Sequence, residues 1–282
     1  MKTVTIAGVG LIGGSFALAL RKAGFDGKIL GVSSPATLRA ALDLSVIDDA
    51  PPLEEAFAAA DLVYLAQPIS RILESLRTID PFLRPGTLVT DAGSTKSAIV
   101  RQASQTIRNG TFLGGHPMAG KAARGAAQAD PDLFQARTYF LTPSASKEME
   151  QSTVVTFVEW IRRIGANPVT ITPEAHDHLV AFTSHLPQLA STALAGTLAQ
   201  KLDADQARQG AGPGLHDTTR LALSSYEIWA DILTTNGPSI AQALDLYIDR
   251  LHLLREHLKE SNLKADFEFA ENFTKQLRKP DF

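Results

Sequence analysis

Seven short runs rich in β-branched residues alternate with helix-length segments up to Thr172, and no convincing strand follows. Strands separated by long amphipathic stretches need crossover connections, so the pattern calls for a doubly wound, mostly parallel α/β sheet with helices on both faces. The expected strands are 3–7, 28–32, 62–66, 87–91, 111–114, 138–142 and 168–171. Apolar residues at helical spacing mark helices over 12–22, 35–44, 53–60, 69–79, 96–108 and 148–164, with Gly24 and Gly165 where helix ends belong. At Thr172-Pro173-Glu174 the sequence offers an N-cap, a proline at the first helical position and an acid in the first turn. The remainder reads as all-helical, over 173–202, 218–236, 237–260 and 264–277, with 210–214 as a loop. A chain of 282 residues exceeds one ordinary core, so the expectation is a sheet domain over 1–172 and a helical domain over 173–282.

The first strand runs into Gly8-Val9-Gly10-Leu11-Ile12-Gly13, which opens a helix. The first glycine suits a tight turn, the second a close approach of pyrophosphate, and the third close packing of helix on strand. The expectation is a Rossmann-type domain holding a dinucleotide at Gly8, Gly10, Leu11, Ile12 and Gly13, with Gln67 and Pro68 on the loop after the third strand. An NAD site usually has Asp or Glu about 20 residues beyond the glycines, but here the second strand ends Gly31-Val32-Ser33-Ser34-Pro35. Ser33, Ser34 and Arg39 suit a 2′-phosphate, which favours NADP over NAD. The same serines equally suit capping of the helix from Pro35, in a site that takes either cofactor.

Two more loops meet at the same sheet edge, Asp91-Ala92-Gly93-Ser94-Thr95-Lys96 and Gly114-Gly115-His116-Pro117-Met118-Ala119-Gly120. Histidine at this edge suits a general base, with Ser94 expected to orient its ring. Lys96 is read as a fold-level contact or a solvated side chain. A net charge of −3 gives no electrostatic footprint for nucleic acid or an anionic membrane, so the expected partner is a small molecule. The absence of cysteine removes thiolate chemistry and disulfides and fits a reducing compartment. With the first strand starting at residue 2 or 3 and no apolar run long enough to span a bilayer, the expected location is cytoplasmic.

The motifs Gly8 to Ser15, Asp91 to Lys96, Gly115 to Gly120 and Ser184-His185-Leu186-Pro187-Gln188, in that order, resemble the prephenate/arogenate dehydrogenase family of tyrosine biosynthesis over residues 1 to about 260. That resemblance implies a Rossmann domain followed by a helical dimerisation domain. It implies oxidative decarboxylation of a cyclohexadienol: hydride leaves the hydroxyl carbon for the nicotinamide, CO₂ is lost and a phenol forms. His116 then matches the residue that takes the hydroxyl proton, and Ser94 the serine beside it. Arg220, in Leu215-His216-Asp217-Thr218-Thr219-Arg220, matches the arginine that binds a substrate carboxylate, and Trp229 an aromatic near the pocket that helical spacing would equally place in the core.

On the first helix after Thr172, His185 and Gln188 share a face and are substrate-binding candidates. His176 and His178 point to different faces, make a poor metal pair and are read as surface or linker residues; no metal site is expected. Gln188 and Ala122 stand where strongly prephenate-selective members have a histidine and an acid, which favours arogenate while leaving prephenate open. Neither a fused chorismate mutase nor a fused sensing domain is expected at this length. The apolar residues Ile240, Ala241, Leu244, Tyr247, Ile248, Leu251 and Leu254 exceed what one small bundle covers, so a homodimer is expected. The alternatives are another Rossmann-plus-helical enzyme, of the β-hydroxyacid dehydrogenase or imine reductase type, and a dinucleotide sensor without chemistry. The first places a catalytic Lys or Asp on the helix joining the domains, and the second has no need of His116, Ser94 and Arg220 together.

Overall fold

The computed structural model describes residues 1–121, 123 and 125–278; the specificity position Ala122 lies outside them. Seven strands, β1 (Thr3–Ala7), β2 (Lys28–Val32), β3 (Leu62–Leu65), β4 (Leu88–Asp91), β5 (Thr111–Pro117), β6 (Thr138–Thr142) and β7 (Asn167–Thr170), form one sheet in the order β2-β1-β3-β4-β5-β6-β7. All neighbours are parallel except β5 and β6. Its covering helices are α1 (Leu11–Lys22), α2 (Pro35–Asp43), α3 (Leu53–Ala59), α4 (Ile69–Thr78), α5 (Ser97–Thr106) and α6 (Ser152–Arg163). Both faces of the sheet's centre are buried: on β3, Leu62 and Tyr64 join one core with Phe16, Phe134 and Phe157, while Val63 and Leu65 join the other with Ile69, Ile72 and Ile99.

Local signals set several boundaries. Ser34 caps α2 ahead of Pro35, and Thr172 accepts from the Ala175 amide ahead of Pro173. Gly24 and Gly165 follow α1 and α6 at positive φ. Residues 146–150 form a 3₁₀ turn, so α6 starts later than its spacing predicts. β5 runs past the expected end at Gly114, because β6 pairs with it antiparallel from Gly114 to Pro117. His116 therefore sits within a strand.

The second half is helical: α7 (Pro173–Val180), α8 (Leu186–Lys201), α9 (Ala204–Gly210), α10 (Pro213–Thr219), α11 (Tyr226–Thr235), α12 (Gly237–Lys259) and α13 (Lys264–Leu277). α7 and α8 are one run interrupted by a π turn, Ala181–His185. Pro187 has no N–H to offer the preceding turn, and the Leu186 amide reaches back five residues to the Ala181 carbonyl. Of the expected helix over 218–236, α11 forms from Tyr226; Thr218 and Thr219 end α10, which starts at Pro213 inside the expected loop, and a 3₁₀ turn, Arg220–Leu223, lies between the two. A helix over Ala204–Gly210 was not anticipated; an Asp203/Gln206 capping box starts it.

The second core continues off the sheet into Ala181, Ile232, Ile240 and Ala243, so the helical half is seated on the sheet domain. Of the 23 residues of α12 only Ile240 and Ala243 are buried, and on α13 Phe267 and Phe269 are each 71% exposed. No helix among the described residues is long and apolar enough to cross a membrane.

Candidate active site

The strand order reverses at β1 and β3, the place where open α/β sheets hold ligands. Gly8 has φ +93°, and a Cβ there would lie 2.7 Å from the Ala66 carbonyl oxygen; one at Gly13 would lie 2.1 Å from the Gly8 oxygen. Gly10 faces open space, with nothing within 4 Å of where its Cβ would stand. It caps α1, whose first turn carries no acid and no side-chain cap, leaving the amides at that end for an anion. Leu11 and Ile12 begin this helix and pack their side chains against the core. A cleft of about 690 Å³ opens here, lined by Gly8, Gly10, Ser33, Ser34, Gln67 and Pro68 among others. The backbone geometry, the open space at Gly10 and the cleft fit a dinucleotide.

At the far end of that cleft no acid follows β2. Ser34 Oγ meets the Thr37 hydroxyl at 2.9 Å and accepts from the Thr37 amide, so capping occupies it at least in part. Arg39 does not line the cleft, which corrects its expected place: Thr37 does line it, and Arg39 lies about 200° further round α2. Among the described residues the guanidinium that lines the cleft is that of Arg71 on α4, 2.6 Å from Glu74. Gln67 accepts from Ser75 at 2.9 Å, bracing the loop after β3.

His116 is 9% exposed, and its Nδ1 lies 2.8 Å from Nε2 of His176, which has no exposure. His176 Nδ1 lies 2.9 Å from Oδ1 of Asp177. That carboxylate also accepts the Lys96 amide at 2.6 Å and the Ser97 amide at 2.8 Å, so a residue of α7 caps α5 from the other half of the chain. Asp177 can only accept, so the proton on His176 sits on Nδ1 and its Nε2 accepts from His116 Nδ1–H. His116 Nε2 is left with a lone pair and no protein partner among the described residues. Burial, with His176, Lys96 and His185 nearby, pushes His116 well below the usual histidine range. Burial likewise lowers His176 against the pull of Asp177, and it lowers His185 to about 4. Hydrogen bonds from His176 and the two amides hold Asp177 below the ordinary carboxylate value despite its burial.

Two expectations are corrected here, and for Lys96 one of two alternatives is selected. Ser94 is half-buried and makes no hydrogen bond to His116; His176 takes that part, because the antiparallel segment of β5 turns Nδ1 towards α7. His176 is not a surface residue, although its neighbour His178 is exposed. Lys96 is the fold-level contact and not the solvated side chain: it is fully buried and ion-paired with Asp91. The signal available for His176 was its pairing with Asp177 one turn after a strong helix start, on the face opposite His178.

His185, in the π turn, is buried, meets the Trp229 ring edge-on at 5.8 Å and lies 3.4 Å from the Asn236 side chain. Gln188 is buried and donates to the Leu221 carbonyl at 2.8 Å, while Ser191 accepts the Ala222 amide at 3.1 Å. These two bonds dock the 3₁₀ turn that begins with Arg220 onto α8. Arg220 itself is exposed in the single chain. Among the described residues no group of three or more His, Cys, Asp or Glu side chains is placed to hold a metal ion.

Residues 16–169 match the family model for the prephenate dehydrogenase nucleotide-binding domain, and residues 172–277 match its dimerization domain. A prephenate dehydrogenase of Lactococcus lactis subsp. cremoris is 35% identical, covering 99% of this chain and 76% of that protein. The crystal structure of Aquifex aeolicus prephenate dehydrogenase with hydroxyphenyl propionate and NAD⁺ is similar at TM-score 0.88 and 28% identity, over 98% of this chain and 97% of that one. Synechocystis arogenate dehydrogenase is similar at TM-score 0.83 and 31% identity, over 97% and 98%. The chain therefore belongs to the prephenate dehydrogenase family, as an NAD(P)-dependent oxidoreductase with a dinucleotide-binding sheet domain and a helical dimerisation domain.

Proposed function

We propose that the protein oxidises arogenate to tyrosine, with loss of CO₂ and reduction of NADP, and accepts prephenate or NAD less well. The observation that carries this reading is the chain His116–His176–Asp177, which leaves a lone pair on His116 Nε2. The bound dinucleotide supplies the hydride acceptor. His116 Nε2 takes the ring hydroxyl proton as the hydride leaves the same carbon; the carboxylate's C–C bond pair then passes into the ring and CO₂ departs. Ser94 serves as a substrate-facing hydroxyl on this reading. Arg220 binds a substrate carboxylate, with His185 and Trp229 bordering the pocket.

Support for the amine-bearing substrate comes from Gln188. The Leu221 carbonyl can only accept, so the amide nitrogen of Gln188 faces it and Oε1 remains to accept from a substrate ammonium. Support for NADP comes from the hydroxyls of Ser33, Ser34 and Thr37 and the Arg71 guanidinium in a cleft with no acid at the end of β2. The exposed apolar residues of α12 and α13 suit burial against a second copy of the chain, so we also propose a homodimer.

A two-by-two assay tests the specificity: arogenate or prephenate against NADP or NAD, following nicotinamide absorbance and identifying the product. Tyrosine formed fastest from arogenate with NADP supports it, while faster turnover of prephenate keeps the chemistry and overturns the preference. Ser33→Asp places a carboxylate beside a 2′-phosphate, so the ratio of kcat/KM for NADP over NAD is expected to drop about tenfold or more. An unchanged ratio would place the phosphate elsewhere.

The pH profile gives an independent check. Protonating Nε2 removes the base, so kcat/KM falls as pH drops through the His116 pKa. Because that pKa lies well below 6.5, the plateau is expected to extend to the acid side of 6.5. A limb at 6.5 or above would contradict a buried, neutral base.

A further inference from the structure

The β4–β5 ladder ends at Thr90 and Leu113, two residues before the part of β5 that matters most. Beyond it, β6 pairs with one edge of the strand through Gly114, Gly115 and His116. On the other edge β4 has already turned away, with the Gly93 amide folded back onto Asp91 Oδ2 at 2.8 Å. The vacated hydrogen bonds are filled by side chains. The Gly115 amide donates to Asp91 Oδ1 at 3.1 Å, and the Gly115 carbonyl accepts from Lys96 Nζ at 2.7 Å. Lys96 Nζ and Asp91 Oδ2 are themselves paired, and both side chains have no solvent exposure.

An ion pair thus stands where a strand would be, directly before His116. Close packing leaves no slack in the arrangement: a Cβ at Gly115 would lie 2.5 Å from the Asp91 carbonyl oxygen. Stability alone does not call for such a pair, since replacing a buried ion pair by apolar side chains of similar volume is often neutral or stabilising.

We propose that Lys96 is a positioning residue for the reaction, acting through the Gly115 carbonyl to hold the β5 backbone, and with it His116, at the depth the substrate hydroxyl requires. This rests on the reading of His116 as the base. The charge acts in the same direction as the geometry: the groups facing His116 are Lys96 with its partner Asp91, His176 and Asp177 on α7, and His185 in the π turn. Among them the ammonium opposes a second positive charge on the imidazole. Burial lowers Lys96 itself below the ordinary ammonium range, while Asp91 and Asp177 hold it up.

The test is Lys96→Met, which keeps the length of the side chain and removes both donor and charge, alongside Asp91→Asn/Lys96→Met, which leaves no unpaired buried ion. Both are assayed for kcat, KM and the pH dependence of kcat/KM with the substrate preferred by the wild type. The expected result is a fall in kcat of about tenfold or more in each, with KM and dinucleotide affinity held within about threefold, since small displacements of a reacting group cost rate steeply. The acid limb is expected at higher pH than in the wild type, more so in the single variant, where Asp91 is uncompensated. Lys96→Arg, which retains charge and donors, is expected to recover the wild-type position of the limb. Folded variants with wild-type kcat, or with a lower kcat and an unmoved limb, overturn the proposal, as does failure of both to fold, which assigns the pair to folding alone. His116→Asn measured in parallel separates the two ideas. If it keeps turnover, the base assignment has failed; if it is inactive while the Lys96 variants match the wild type, the positioning role has failed.

Discussion

Replacing His116 with Asn lowers kcat by at least about a hundredfold, within the range that a positioned general base contributes, and leaves dinucleotide affinity close to that of the wild type. The amide cannot take the hydroxyl proton, although its NH2 can still donate to His176 Nε2 in place of Nδ1–H. The glycine turn and the cleft between β1 and β3 lie on other loops and keep their geometry, so binding of the dinucleotide, followed by nicotinamide fluorescence, is the internal control. A variant that turns over at the wild-type rate would remove His116 as the base. One that loses affinity for the dinucleotide as steeply as it loses turnover would point to a distorted β5.

Replacing Arg220 with Ala raises the KM for the substrate by about ten- to a hundredfold or more, the span expected when a charge-assisted bond to a carboxylate is removed, with a smaller effect on kcat. The 3₁₀ turn that carries Arg220 is anchored on α8 through Gln188 and Ser191, neither of which the substitution touches. The side chain is exposed in the single chain, so little packing is lost with it. Lys at this position is expected to recover only part of the affinity, because a point charge lacks the two-pronged geometry of guanidinium. An unaltered KM in Arg220→Ala would refute the carboxylate assignment.

Much of the fold was legible in the sequence because each signal concerns a single residue's backbone or a short period. Gly8 and Gly13 require absent side chains, Ser34 and Thr172 start helices, and the seven β-branched runs mark the seven strands of the sheet. The helical half was harder. α12 and α13 followed apolar spacing well, but the break at Arg220–Leu223 depends on Gln188 and Ser191 reaching across from α8, which no local pattern encodes.

The candidate site divides along the same line. Sequence order and strand ends placed His116 and Ser94 at one sheet edge and the glycine turn at another part of it, and the motifs identified the family. Which groups hold His116 was decided by the tertiary structure. His176 bonds it across 60 residues, Asp177 caps α5 across 81, and Lys96 is turned inward to a strand edge that β4 has left unpaired. Periodicity tells which side of an element is buried, but a buried polar group is satisfied by whatever partner packing brings within hydrogen-bond reach. The sequence by itself determined the sheet and the dinucleotide turn and pointed to His116; only the assembled halves determined which groups bond its ring and which ion pair fills the strand edge beside it.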